Sequence, residues 1–314
     1  ATALYGSRAA NGVVVVTSVP PKVGEIRIDY NTTLELTFPD LSDYNLTNAA
    51  EKLQVEKDAG VYTAKENWQK EEKEILYNNR LNEIRRGVNT DWLARPLRNV
   101  MNWRNSVMLS GGVNSMRYEL AFNYDNNRGV MKGSYRNRWG GGLKIDYRLR
   151  EWLQIQDNVT INRTSYEDSP FGSFSNYGTY LPYDAIYGEN GEYLQKLPQS
   201  GQVNPLWQQQ QLESYNGRGT ITDITNNLGV NVYFTPTFYL RGAFGISQVQ
   251  TNDDSFIDPK HPSFKGRVEN KRGELSISKN SDLKWNLNAT LHFNQRFKKH
   301  FVNLTSGVEA IETI

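Results

Sequence analysis

The sequence holds 314 residues, and few of its reactive side chains stand in workable arrangements. There is no cysteine, which excludes disulfide staples, thiolate metal sites and cysteine nucleophiles. Three histidines, His261, His292 and His300, are too scattered for a histidine-rich metal centre. The acid pairs Glu167-Asp168 and Asp253-Asp254 are adjacent. Adjacent residues of a strand point to opposite faces, so neither pair suits a scissile bond. Asp253 and Asp258 could ligate calcium with carbonyl help, yet their spacing matches no calcium loop, and solvated loop charge is the plainer reading. Gly111-Gly112 and Gly140-Gly141-Gly142 do not open a helix with phosphate-loop spacing. They mark strand positions where a neighbouring backbone packs closely or the wall bends. No catalytic residue, metal or cofactor is expected, and the chain does not read as an enzyme.

The richest polar region is residues 167–218. It carries Phe171, Phe174, Tyr177, Tyr180, Tyr183, Tyr187, Tyr193, Trp207 and Tyr215 among Gly, Ser, Asn and Gln. Ring faces with nearby amides are how proteins hold sugars or peptides. Phe171, Phe174, Tyr177, Tyr180, Tyr183, Tyr187 and Trp207 are therefore candidate ligand contacts, and packing of the loop on itself is the competing account. Charge adds little: 36 Lys+Arg against 34 Asp+Glu is too balanced for an electrostatic nucleic-acid binder.

The elements that must carry these loops are strands. Residues 283–293 alternate, with Leu283, Trp285, Leu287, Ala289, Leu291 and Phe293 on one face. Lys284, Asn286, Asn288, Thr290 and His292 occupy the other. Residues 26–38 repeat the pattern, with Ile26, Ile28, Tyr30, Leu34, Leu36 and Phe38 opposite Arg27, Asp29, Asn31 and Glu35. Weaker copies begin at Tyr118, Leu143, Leu153, Leu228 and Phe238, and a short strand near 103–110 and another at 301–312 complete nine candidates. Many exceed ten residues, which is long for a soluble sheet and fits the roughly 9–11 residues of a tilted membrane strand.

Connection lengths sharpen the reading. Tight turns at 111–115, 150–151, 235–237 and 295–300 alternate with longer connections at about 39–101, 126–133, 167–218 and 251–271. The long connections thus gather at one end of the sheet, the asymmetry of an outer-membrane barrel. No run approaches the roughly 18 apolar residues of a membrane helix, which says nothing against a barrel that crosses with alternating strands. The fold class is all-β: part of a large antiparallel transmembrane barrel, with short helices in one long loop. Asn48 with Glu51 predicts a capping box closed by a stop at Gly60. Thr63 with Glu66 predicts a second helix ending near Arg85-Arg86, and the pair reads as solvated surface helices. The chain starts at Ala1 without an export signal and stops at Ile314 inside an alternating segment, so it reads as a piece of something longer.

The opening segment carries a resemblance. Residues 2–17 hold Tyr5-Gly6-Ser7-Arg8-Ala9-Ala10-Asn11-Gly12 followed by the apolar run Val13–Val16. This resembles the end of the plug domain in TonB-dependent outer-membrane transporters of the SusC/RagA type found in Bacteroidota. Asn102-Trp103, Leu109-Ser110-Gly111-Gly112, Arg117-Tyr118, the run 126–133 and Trp152-Leu153 resemble that family's early barrel hairpins. Val19-Pro20-Pro21 departs from its more basic, glycine-rich link.

The resemblance implies a plugged 22-stranded barrel in the bacterial outer membrane. Residues 1–20 would be the C-terminal end of the plug and 21–314 the N-terminal portion of the barrel. It also implies a SusD-like surface lipoprotein as lid, TonB–ExbBD as energy source acting through plug residues outside this sequence, and an oligosaccharide or peptide as cargo. The implied mechanism is binding under the lid, a pull by TonB on the plug, and passage through the opened lumen. Lys284, Asn286, Asn288 and His292 are candidates for lining that path, with an ordinary wetted wall as the alternative. Two other functions stay open at this point: a secreted β-rich carbohydrate-binding module and a passive porin-like channel.

Overall fold

The computed structural model describes residues 21–314, and the expected plug motif at residues 5–12 lies outside them. Nine strands follow one another in a single antiparallel meander. They are β1 (Gly24–Thr37), β2 (Val100–Val113), β3 (Met116–Asn126), β4 (Tyr135–Arg150), β5 (Leu153–Glu167), β6 (Tyr215–Thr235), β7 (Phe238–Ile257), β8 (Glu274–Phe297) and β9 (His300–Thr313). Each strand pairs with its sequence neighbours, so the wall grows one hairpin at a time.

Register makes the two faces continuous. Across the wall Ile28 pairs with Leu109, Leu109 with Leu120, and Leu120 with Leu143. Leu143 pairs with Val159 and Ile155 with Val230; Leu228 then pairs with Phe244, and Phe244 with Leu287. Every apolar series read from the sequence therefore lands on one side. Among the described residues no element covers that side: Phe122 is 53% exposed and Leu287 49%. An apolar surface of this extent is not stable in water, and lipid is the solvent that fits it.

The tight turns are two residues each, at 114–115, 151–152, 236–237 and 298–299. Gly112 explains the first: its φ is +132°, and an added Cβ would strike the Met116 carbonyl and the Arg117 backbone. The short strand expected near 103–110 is in fact 14 residues long and runs through both glycines. At the other end β6, β7 and β8 reach 21, 20 and 24 residues. They outrun the bilayer, and the extra length of β8 carries Ser276, Ser278, Lys279, Asn280, Ser281 and Asp282, whose polarity hid it from a search for apolar alternation.

Among the described residues three α-helices lie in the loops at that long end. Helix α1 (Ala49–Asp58) has the expected capping box: the Glu51 amide donates to Asn48 Oδ1 at 2.9 Å and the Asn48 amide to Glu51 Oε2 at 3.0 Å. Gly60 follows with φ +77°. Helix α2 (Lys70–Arg85) starts later than Thr63 predicted: a single 3-10 turn at Asn67–Gln69 precedes it, and there the Glu66 amide donates to Gln69 Oε1 at 3.2 Å. Helix α3 (Pro205–Gln211) is a short segment with proline in its first turn, where the missing N–H costs nothing.

Candidate functional site

Among the described residues the buried core cluster lies not in the sheet but between the first and third long loops. Trp92 and Leu93 from the first loop pack with Tyr177, Ile186, Leu197 and Leu206 from the third. The two are stitched by main-chain contacts: the Thr90 amide donates to Pro182 O at 2.7 Å, Thr90 Oγ1 to Asp184 O at 2.9 Å, and Trp92 Nε1 to Leu181 O at 2.8 Å.

A second set of contacts clasps the helices to the same core. Glu56 of α1 accepts from Tyr62 Oη at 2.5 Å, from Arg80 Nη1 of α2 at 2.7 Å and from Tyr183 Oη at 2.8 and 2.9 Å. The Arg80 guanidinium lies 4.9 Å from the Tyr183 ring centre. Burial alone would push the Glu56 carboxyl up, but the two tyrosine hydroxyls and the Arg80 charge together hold it below its usual range. Burial first, and then the carboxylate it donates to, raise the Tyr62 hydroxyl to about 12. Glu56 therefore stays ionised and Tyr62 protonated across the physiological range.

This geometry revises part of the aromatic site expected from sequence. Tyr177 and Tyr183 are 1% and 0% exposed, so their rings are spent on packing and on the clasp rather than offered to a ligand. Phe171, Phe174 and Tyr180 are partly buried against the core. Tyr187 is exposed and stacks 4.8 Å from Tyr193, while Trp207 is half-buried in α3. The seven rings do not form one surface.

A groove opens where the two loops meet, with a volume of about 330 Å³. Residues 41, 44, 46–48, 52, 89–93 and 177–182 wall it. The Tyr180 ring at its edge lies 4.8 Å from that of Trp92, and Tyr44 on the rim meets Phe174 edge-on at 5.6 Å.

The polar face of the sheet carries its own network. Lys284, Asn286, Asn288 and His292 share this face of β8, as their parity requires. His292 stacks on Tyr239 with ring centres 4.7 Å apart and contacts Thr290 Oγ1 at 3.0 Å. Near the tight-turn end a chain of contacts crosses five strands. Arg117 pairs with Asp146 at 2.8 Å, Gln154 donates to Asp146 at 2.6 Å, Asn231 contacts Gln154 at 3.4 Å and Arg241 donates to Asn231 at 3.0 Å. Further along, Gly140 lies between Asn123 and Asn162, and Gly245 between Asn227 and Asn286. At each glycine the two flanking amide oxygens fill the place of a side chain. Sequence reading missed the five-strand chain of contacts and the Glu56 clasp. The only signal of the five-strand chain was parity: each of its polar members falls at an off-phase position beside a tight turn.

An open antiparallel wall with one apolar face, one polar face, tight turns at one end and long folded loops at the other is a segment of a large transmembrane β-barrel. Comparison with known proteins agrees. No family model matches the sequence. The TonB-dependent receptor SusC of Bacteroides thetaiotaomicron is 21% identical over 287 residues, covering 82% of this chain and 26% of SusC. A TonB-dependent receptor of Formosa agariphila is 25% identical over 199 residues, covering 61% of this chain and 18% of the receptor. The solved RagAB peptide transporter superposes with a TM-score of 0.79 at 19% identity, across 100% of this chain and 38% of that one. The chain is homologous to SusC, has the barrel fold of these outer-membrane proteins, and spans about a quarter of SusC's length.

Proposed function

We propose that the chain forms the N-terminal part of the barrel of a TonB-dependent importer, which carries oligosaccharides or oligopeptides across the outer membrane. The observation that carries this reading is the wall itself: a continuous apolar face, with the lumen side lined by amides, hydroxyls and paired charges rather than by a catalytic constellation. Such a lining suits passage of neutral polar oligomers. Residues 1–20 are assigned to the end of the plug, and residues 21–314 to the barrel. Lys284, Asn286, Asn288 and His292 line the path, and a SusD-like lipoprotein closes the loops from outside. Homology to SusC and the fold shared with the RagAB transporter support the assignment.

The test is uptake of labelled oligosaccharides and oligopeptides by cells carrying the full-length protein, with and without TonB. Import that requires both the protein and TonB is the expected result. Flux that persists without TonB would identify a passive channel and contradict the proposal.

A further inference from the structure

The groove between the first and third loops brings together an exposed ring, two oriented side-chain amides and a carboxylate. We infer that it is a surface subsite for a neutral oligosaccharide, on the outer loops and apart from the lumen wall. The inference deepens the import reading by choosing between its two cargo classes, and rests on that reading for its biological role.

Three features point to a sugar. Tyr44 on the rim is 52% exposed, and its T-shaped contact with Phe174 takes up at most one face of the ring. An open ring face is what the apolar C–H face of a pyranose packs against. Next, the amides around it are oriented. Asn48 Oδ1 accepts from the Glu51 amide, and Asn89 Oδ1 accepts from the Ala49 amide at 3.0 Å. With both oxygens engaged by main chain, the Nδ2 groups are the ends left to donate to hydroxyls. Asp91 adds acceptor capacity: Oδ1 takes the Ala94 amide at 3.2 Å, and Oδ2 remains. Fixed donors, a carboxylate acceptor and an open ring are complementary to vicinal hydroxyls.

The same residues disfavour the alternatives. A peptide is held chiefly through main-chain hydrogen bonds along a free edge. Here the Thr90 amide and the Leu181 and Pro182 carbonyls are already joined across the groove. An anionic glycan needs a cationic cluster, and among the groove residues the one cation, Lys52, lies 3.7 Å from the Glu56 carboxylate. About 330 Å³ falls at the lower end of small-ligand sites and suits a short stretch of chain rather than a folded partner.

The test uses the full-length receptor in detergent, titrated by calorimetry with neutral hexasaccharides (an α-1,4-glucan, a β-1,3-glucan and a β-1,4-mannan) and with hexaalanine. Saturable binding of at least one hexasaccharide is expected. Tyr44→Ala and Asp91→Asn should each weaken it tenfold or more, while Tyr44→Phe keeps the ring and retains affinity. Both positions are on the rim, and an unchanged protease-resistance pattern of residues 39–214 would establish that the loops remain folded. Three outcomes overturn the inference: no hexasaccharide binds, affinity is unchanged in both variants, or hexaalanine alone binds and is lost with Tyr44. TonB-dependent uptake in cells is a separate reading. Uptake that stays TonB-dependent while the groove variants bind normally would sink the subsite and leave the importer standing.

Discussion

The Tyr183 hydroxyl donates to both carboxylate oxygens of Glu56, at 2.8 and 2.9 Å, across 127 positions of sequence. Through this contact two loops separated by four strands act as one folded head above the barrel. Removing the hydroxyl with Tyr183→Phe leaves Glu56 with fewer donors in a buried place, and the loss expected is about 1–3 kcal/mol of loop stability. Glu56→Leu is expected to cost more, about 3–5 kcal/mol, because it strands the buried Arg80 guanidinium. Limited proteolysis of residues 39–99 in the assembled barrel reads both. Equal resistance in wild type and Glu56→Leu would contradict the clasp.

The same clasp sets a pH window. Glu56 titrates below its usual range in the folded state, so its contribution is present above the ordinary carboxylate pKa and is lost as pH falls through the folded one. Tyr62 is raised from 10.0 to about 12, so its contribution is complete below 10.0 and lost as pH rises toward 12. Amide protection factors in α1 and α2, corrected for the intrinsic pH dependence of exchange, should therefore be highest between these limits and fall on both sides. A flat profile would mean that other contacts hold the helices.

Face assignment makes a third prediction. Leu287 lies between Phe244 and Ala310 on the apolar face, with Asn288 beside it on the polar one. Leu287→Arg is expected to cost about 2–4 kcal/mol near the bilayer midplane, whereas Asn288→Lys leaves assembly intact. The yield of heat-modifiable, folded barrel on gels is the readout, and comparable losses from both would refute the assignment.

Glycines on the wall differ in what they tolerate. At Gly140 a Cβ meets Asn123 and Asn162 Oδ1, each at 2.6 Å, and both are ends of side chains that can swing away. At Gly112 it meets backbone, and the φ of +132° is itself hostile to a side chain. Gly112→Ala should therefore destabilise the β2–β3 hairpin by about 1–3 kcal/mol, and Gly140→Ala by less. Urea unfolding of the refolded barrel would rank them, and the reverse order would contradict this account.

How far the sequence disclosed this arrangement depended on the kind of contact. Alternation in β8 from Leu283 to Phe293 placed both faces, because a period of two is a local property and one apolar face demands it. The Asn48–Glu51 cap was legible for the same reason. Where the polar extension of β8 begins at Glu274 was not, since neither face of that stretch is apolar throughout. The loop core was least visible. Trp92 and Tyr177 are separated in the chain by four strands, and ring content alone cannot separate a tyrosine buried like Tyr177 from one exposed like Tyr187.

On the proposed assignment the polar face lines a water-filled path while the apolar face meets lipid. Residues 1–314 contain no cysteine, so single cysteines introduced here report without background from this stretch. In outer membranes carrying the full-length protein, thiols from Leu287→Cys and Asn288→Cys would be challenged with a membrane-impermeant maleimide and with a lipid-soluble one. The account predicts that the Asn288→Cys thiol reacts with the water-soluble reagent and the Leu287→Cys thiol only with the lipid-soluble one. The opposite pattern, or equal labelling of both by the impermeant reagent, would contradict it.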